Sequence, residues 1–221
     1  MNHLNHSHTS ELFDPQQAGP VTVLGAGSVG SQAVLMLARM GVSRIALYDA
    51  DDVRSHNLPM TMTFGIKDLG RYKVDVVREK ALAETGVEVQ AHRQMYDGQS
   101  LSGSVLCCVD SMEARMAAWN AAKMNPSVDI FVDTRTHKRF LSIFAVRPCL
   151  PEDISLYESR LYPSSQTLRP MCGSHGILYI SATAAALAVR ALTGFWSGDI
   201  PPLHESVLFS QQGVRAYQEE P

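Results

Sequence analysis

Gly25, Gly27 and Gly30 stand in the order G-A-G-S-V-G, and a carboxylate follows at Asp49. Glycines at this spacing suit phosphate. The first permits a tight turn, the second lets backbone amides approach the ligand, and the third lets a helix pack closely on a sheet. A helix opening at such a turn adds partial positive charge from its N-terminus. An acid about 20 residues further on is placed to bind ribose hydroxyls. The run "DADDVRSHN" then clusters Asp51, Asp52 and Asn57 beside Asp49. Extra acids next to a nucleotide suit magnesium coordination or pairing with cationic side chains, and they suit a second nucleotide half less well. ATP is therefore favoured over a dinucleotide. An NAD-dependent oxidoreductase accounts for the glycines but not for the acids. Asp52 reads as part of a solvated turn.

These residues need elements to hold them. "VTVLG" reads as a buried strand, with a helix over residues 28–40 stopped at Gly41. "RIALYD" is the next strand, and a loop over 50–70 leads to a helix over 73–84 stopped at Gly86. "VEVQAHRQ" alternates like a strand and "SVLCCVD" is a buried one, followed by a helix over 112–124. "DIFVDTR" and "FLSIFAV" pair as a hairpin around the polar residues 136–139, where His137, Lys138 and Arg139 form a basic turn. Residues 147–170 read as irregular and carry prolines. An Ala-rich buried helix comes next, too short in its apolar stretch 177–189 to span a bilayer. The alternation of strands and helices predicts an α/β fold: a doubly wound, mainly parallel Rossmann-like sheet with an antiparallel edge hairpin. The domain organisation expected is a flexible tail over 1–20, a nucleotide-binding domain over 21–196, and a tail over 197–221.

Composition narrows the function. A net charge of −3 over 221 residues gives no reason to expect a nucleic-acid or anionic-membrane partner. The N-terminus lacks the basic, apolar start of a signal peptide, and its three histidines read as a polar tail rather than a metal chelate. Four cysteines without a CxxC pair exclude a two-CxxC zinc site, so no zinc is expected, and a reduced cytoplasmic setting is the default. Cys107 and Cys108 read as core.

Taken together, "GAGSVG", "DADDVRSHN", "GRYK" at 70–73 and "VLCCVDSMEAR" at 105–115 resemble the ThiF/MoeB/HesA family of adenylyltransferases, related to ubiquitin-activating enzymes. "DTR" at 133–135 and "LYPSSQTLRPMCG" resemble a short bacterial and phage subgroup. The resemblance covers about residues 21–194. It implies that ATP and the C-terminal carboxylate of a small ubiquitin-like or sulphur-carrier protein give an acyl-adenylate and pyrophosphate. By that resemblance Gly25, Gly27 and Gly30 face the nucleotide, Asp49 takes the ribose with Asp51 beside it, and Asn57 and Lys73 contact phosphates. Asp110 holds Mg2+ near the α-phosphate. Cys172, ahead of the last helix, is the candidate acyl acceptor, against the plainer reading of a small buried cysteine in a turn. A homodimer is also implied.

The sequence departs from the family at two cations. Met60 stands where an arginine is expected, and no Lys or Arg precedes Arg39. Arg54, Arg71 and Arg115 are the candidates to compensate. This departure keeps open a second reading, a catalytically weak member that binds nucleotide and a partner.

Overall fold

The computed structural model describes residues 4–6, 11–162 and 177–219. Among these residues eight strands form a single sheet: β1 (Val21–Leu24), β2 (Ile45–Tyr48), β3 (Gln90–His92), β4 (Gly103–Cys107), β5 (Val128–His137), β6 (Phe140–Val146), β7 (His204–Ser210) and β8 (Gly213–Glu219). Their order is β3-β2-β1-β4-β5-β6-β7-β8. The first five run parallel and the last three antiparallel. The strand order reverses at β1, and a crevice opens at such a reversal at the carboxyl ends of the strands.

Among the described residues five α-helices cover the sheet: α1 (Gly30–Arg39), α2 (Lys73–Thr85), α3 (Met112–Ala122), α4 (Pro151–Ser159) and α5 (Leu178–Trp196). Alternate strand residues face opposite sides, so β4 sends Leu106 into one core and Val105 and Cys107 into the other. The first core receives α1, α2 and α5 through residues such as Leu37, Val76 and Ala188. The second is an aromatic cluster of Trp119, Phe131, Phe144 and Tyr157 under α3 and α4. A two-sided sheet explains why "VTVL" and "SVLC" are near-continuous apolar runs.

Several expectations need correction. The segment over 147–170 is not irregular throughout, because α4 forms with Pro151 in its first turn and Glu152 and Asp153 beside it, where acids favour a helix start. Of the expected tail over 197–221, residues 204–210 and 213–219 form strands. β7 pairs with β6 and β8 with β7, so the β5–β6 hairpin lies inside the sheet rather than at its edge. The segment over 1–20 is not wholly a tail either. Phe13 and Ala18 are buried, Phe13 lies 6.1 Å from Trp196, and Asp14 caps a short 3-10 turn. The Ala-rich helix is 19 residues long, enough by length and composition to cross a membrane, yet Ile180, Ala184, Ala188 and Leu192 are buried in the core.

Candidate active site

The carboxyl ends of β1, β2 and β4 converge on a cleft open to solvent. Gly25 continues β1 by donating to the Tyr48 carbonyl, then turns at φ 95°, a conformation that favours glycine. Gly30 performs a different task. A methyl there would sit 1.9 Å from the Gly25 carbonyl oxygen, so its bare Cα lets α1 pack into the turn. Gly27 has open space where its Cβ would be, facing the cleft. The α1 N-terminus has no side-chain cap and no acid in its first turn. The partial positive charge of such a helix start suits an anion.

Asp49, just past β2, is buried at 7% exposure. Its Oδ2 accepts from the Ala26 amide at 2.7 Å and its Oδ1 from the Asp51 amide at 2.8 Å. Burial raises its carboxyl above the ordinary range, against the pull of Lys73 and of both amides. Lys73 opens α2 and is itself buried. Its Nζ donates to Asp51 Oδ2 at 2.7 Å and stands 3.9 Å from Asp49 Oδ1. The Lys73 amide donates to the Asp51 carbonyl, which ties the helix start to the acidic loop. Asp110 is exposed just beyond β4 and lines the cleft with Gly25, Gly27, Asp49, Asp51 and Lys73.

The structure does not bring every sequence-derived candidate to this cleft. Gly30 lies behind the turn, as its packing requires. Asn57 caps a 3-10 turn over Ser55–Met60 by accepting from the Arg54 amide, and it is not among the residues that line the cleft. The Met60 carbonyl accepts from Ser181 Oγ, fastening that turn to α5. Arg71 is engaged by Glu79 and Asp68 on the outer surface. Arg115 is buried against Asp133, so neither arginine faces the cleft. Cys108 lies one residue past β4 and lines the cleft, whereas Cys107 ends the strand inside the core. Burial pushes the Cys108 thiol up to about 12 and raises that of Cys107 further. Cys172 lies outside the described residues.

An apolar wall escaped the sequence reading. Tyr48, Met95 and Tyr96 line the same cleft. Tyr48 stacks on His92 at 4.2 Å and meets Tyr96 edge-on. Such a wall suits a flat base. Tyr48 directly precedes Asp49, and that adjacency was the available signal. Met95 and Tyr96 lie in a loop beyond β3 and carried none.

A parallel sheet with a glycine turn, an uncapped helix start and a buried acid just past the neighbouring strand defines a Rossmann-like nucleotide-binding protein. The sequence profile of the ThiF family matches residues 16–212, and the chain belongs to that family. It is 33% identical over 113 residues to the sulfur carrier protein ThiS adenylyltransferase of Escherichia coli, covering 48% of this chain and 43% of the relative. It is 25% identical over 206 residues to the probable adenylyltransferase/sulfurtransferase MoeZ of Mycobacterium tuberculosis, covering 79% and 47%. The chain thus spans about half the length of these relatives. Among solved structures it is similar to Escherichia coli MccB crystallised with ATP, at a TM-score of 0.68 and 16% identity over 94% of this chain and 65% of MccB. That likeness shows the fold.

Proposed function

We propose that this protein is an ATP-dependent adenylyltransferase that activates the C-terminal carboxylate of a small ubiquitin-like or sulphur-carrier protein. One observation carries the reading: the open face of Gly27, Asp49, Lys73 and Asp110 share one cleft at the sheet's carboxyl edge. In the proposed reaction a carboxylate oxygen attacks the α-phosphorus of ATP. A new O–P bond forms, the bond to the bridging oxygen breaks, and pyrophosphate leaves with that electron pair. A carboxylate is already ionised at neutral pH, so the chain need not supply a general base. Its task is to align the reactants and neutralise charge. Amides at the α1 start receive phosphate, Asp49 takes ribose hydroxyls, and Lys73 leaves Asp51 to meet phosphate oxygens.

Mg2+ suits this site. Among the described residues no group of three His, Cys, Asp or Glu could hold a metal alone. A magnesium ion shared with substrate phosphates needs only one or two carboxylates, and Asp110 at the cleft is placed to provide one. When bound, the ion would neutralise charge on the α-phosphate and the departing group. We further propose a homodimer in the cytoplasm, with the basic turn His137–Lys138–Arg139 exposed to an acidic carrier tail and Cys172 as candidate acyl acceptor.

A second reading, a weakly catalytic member that binds nucleotide and a partner, is favoured by the cations. Lys73 is the basic residue among those lining the cleft, and it is already paired with Asp51. Exchange of labelled pyrophosphate into ATP with a candidate carrier separates the readings. Carrier-dependent exchange supports adenylation, and ATP protection without exchange supports the binding role. Stronger protection by NAD than by ATP overturns both in favour of an oxidoreductase.

A further inference from the structure

Arg115 occupies the first turns of α3 with about 5% exposure, and none of its donors faces the cleft. Nε donates to Asp133 Oδ1 at 2.7 Å. Nη2 donates to the Val109 carbonyl at 2.8 Å and to the Thr134 carbonyl at 3.1 Å, and Nη1 reaches the Ser111 carbonyl at 3.3 Å. Val109 and Ser111 are the residues on either side of Asp110. One guanidinium therefore holds the carbonyls of the two residues that flank Asp110.

Its anchor is equally constrained. Asp133 is fully buried near the carboxyl end of the parallel part of β5, level with Cys107 on β4. Its second oxygen accepts from Arg135 Nε at 2.8 Å and from the Tyr157 hydroxyl at 3.0 Å. Arg135 in turn lies over the Phe144 ring at 4.5 Å. A carboxylate held from three sides cannot follow a moving partner, so it serves as a fixed point. Burying such a pair is weak evidence for added stability, since desolvation offsets much of the attraction. A planar fork is needed where one cation must span a carboxylate and several carbonyls, and a lysine ammonium cannot reproduce it.

We infer that Arg115, anchored on Asp133, is a positioning residue that fixes the Val109–Ser111 turn and so the place of Asp110 in the cleft. This assignment rests on the adenylation reading for its catalytic consequence, but its geometric core does not. The test uses the full chain with Arg115→Lys and hydrogen–deuterium exchange at the amides of residues 109–112. These should exchange at least about tenfold faster, while β1 and α1 keep wild-type protection. In pyrophosphate exchange, kcat should fall about 10- to 100-fold, the usual range for residues that orient a ligating group, with KM for ATP within about threefold. Because Arg115 acts through Asp110, Asp110→Ala combined with Arg115→Lys should be no slower than Asp110→Ala alone. A merely structural role predicts loosening spread across β4 and β5 and effects that multiply. Wild-type protection at 109–112 in folded Arg115→Lys, or multiplying effects, overturns the inference. Should Arg115→Lys fail to fold, Asp133→Asn takes its place, with loosening expected at the same amides and its absence equally fatal. If the wild-type protein exchanges no pyrophosphate, the proposed reaction fails, while the amides still decide this inference.

Discussion

Two alanine substitutions in the glycine turn should separate folding from binding, because the two glycines meet different surroundings. At Gly30 an added Cβ would lie 1.9 Å from the Gly25 carbonyl oxygen and 3.2 Å from Cys108 Cβ. Restoring ordinary contact requires the α1 start to move by roughly 1 Å, an overpacking that costs about 1–3 kcal/mol. At this chain length each kcal/mol lowers the melting temperature by about 2–4 °C. At Gly27 the same methyl meets nothing within 4 Å and no positive φ opposes it. Gly27→Ala should leave stability unchanged or raise it by up to about 1 kcal/mol through the unfolded chain. The methyl would instead hold a phosphate away from the amides. Losing one charge-assisted hydrogen bond of about 1.5–3 kcal/mol weakens nucleotide binding about 10- to 150-fold. Thermal melting and ATP titration by calorimetry, run on both variants, read the two effects separately. Gly27→Ala binding ATP as tightly as the wild type would refute the assignment of the cleft. Gly30→Ala melting at the wild-type temperature would refute the packing argument.

Other substitutions test the remaining parts. Asp110→Ala should slow pyrophosphate exchange about 100- to 1,000-fold, the scale of an electrostatic group lost from an active site, leaving a residual rate to measure, with the melting temperature unchanged, since the residue is exposed at a strand end; an undiminished rate would remove it from the mechanism. Lys73→Ala should weaken ATP binding about tenfold or more, as expected for a lost charge-assisted contact, and equal affinity would leave the lysine only a tie between α2 and Asp51. Burial raises the Asp49 carboxyl above its ordinary value near 3.8. The protonated folded form is thereby favoured, so this contribution to stability is complete below that value and is lost as pH rises through the raised one. Asp49→Asn should flatten that part of the profile, measured as denaturant midpoints from about pH 4 to pH 7; an identical slope in the variant would contradict it. With both thiols pushed up by burial, Cys107 and Cys108 should resist a thiol reagent that labels exposed Cys149, as read by peptide mass spectrometry. Labelling of Cys108 ahead of Cys149 would show that the cleft floor opens.

Much of the architecture was legible in the chain because it rests on local rules. Short apolar runs marked β1, β2, β4 and β5, and the turn glycines marked where the helices begin and end. The edges were harder to read. β7 carries a short apolar run at 207–209 behind the prolines of the preceding loop, and β8 is exposed over 213–218, so neither reads as a buried strand. α4 was hidden because its proline, which starts the helix, reads in isolation as a helix breaker.

For the site, sequence spacing alone named Gly25, Gly27 and Asp49, since phosphate and ribose recognition depends on one short strand-turn-helix unit and the next strand. Which cations reach the cleft was decided by tertiary structure. Arg115 was a candidate for phosphate, but the side chain meets Asp133 from another strand, a partner 18 residues away that no local pattern predicts. Asn57 was drawn into a cap, Lys73 into a pair with Asp51, and Tyr96 into the cleft wall by the same rule. A glycine turn needs only its neighbours in sequence, whereas a charge settles wherever the folded chain offers the best counter-charge and the least loss of water.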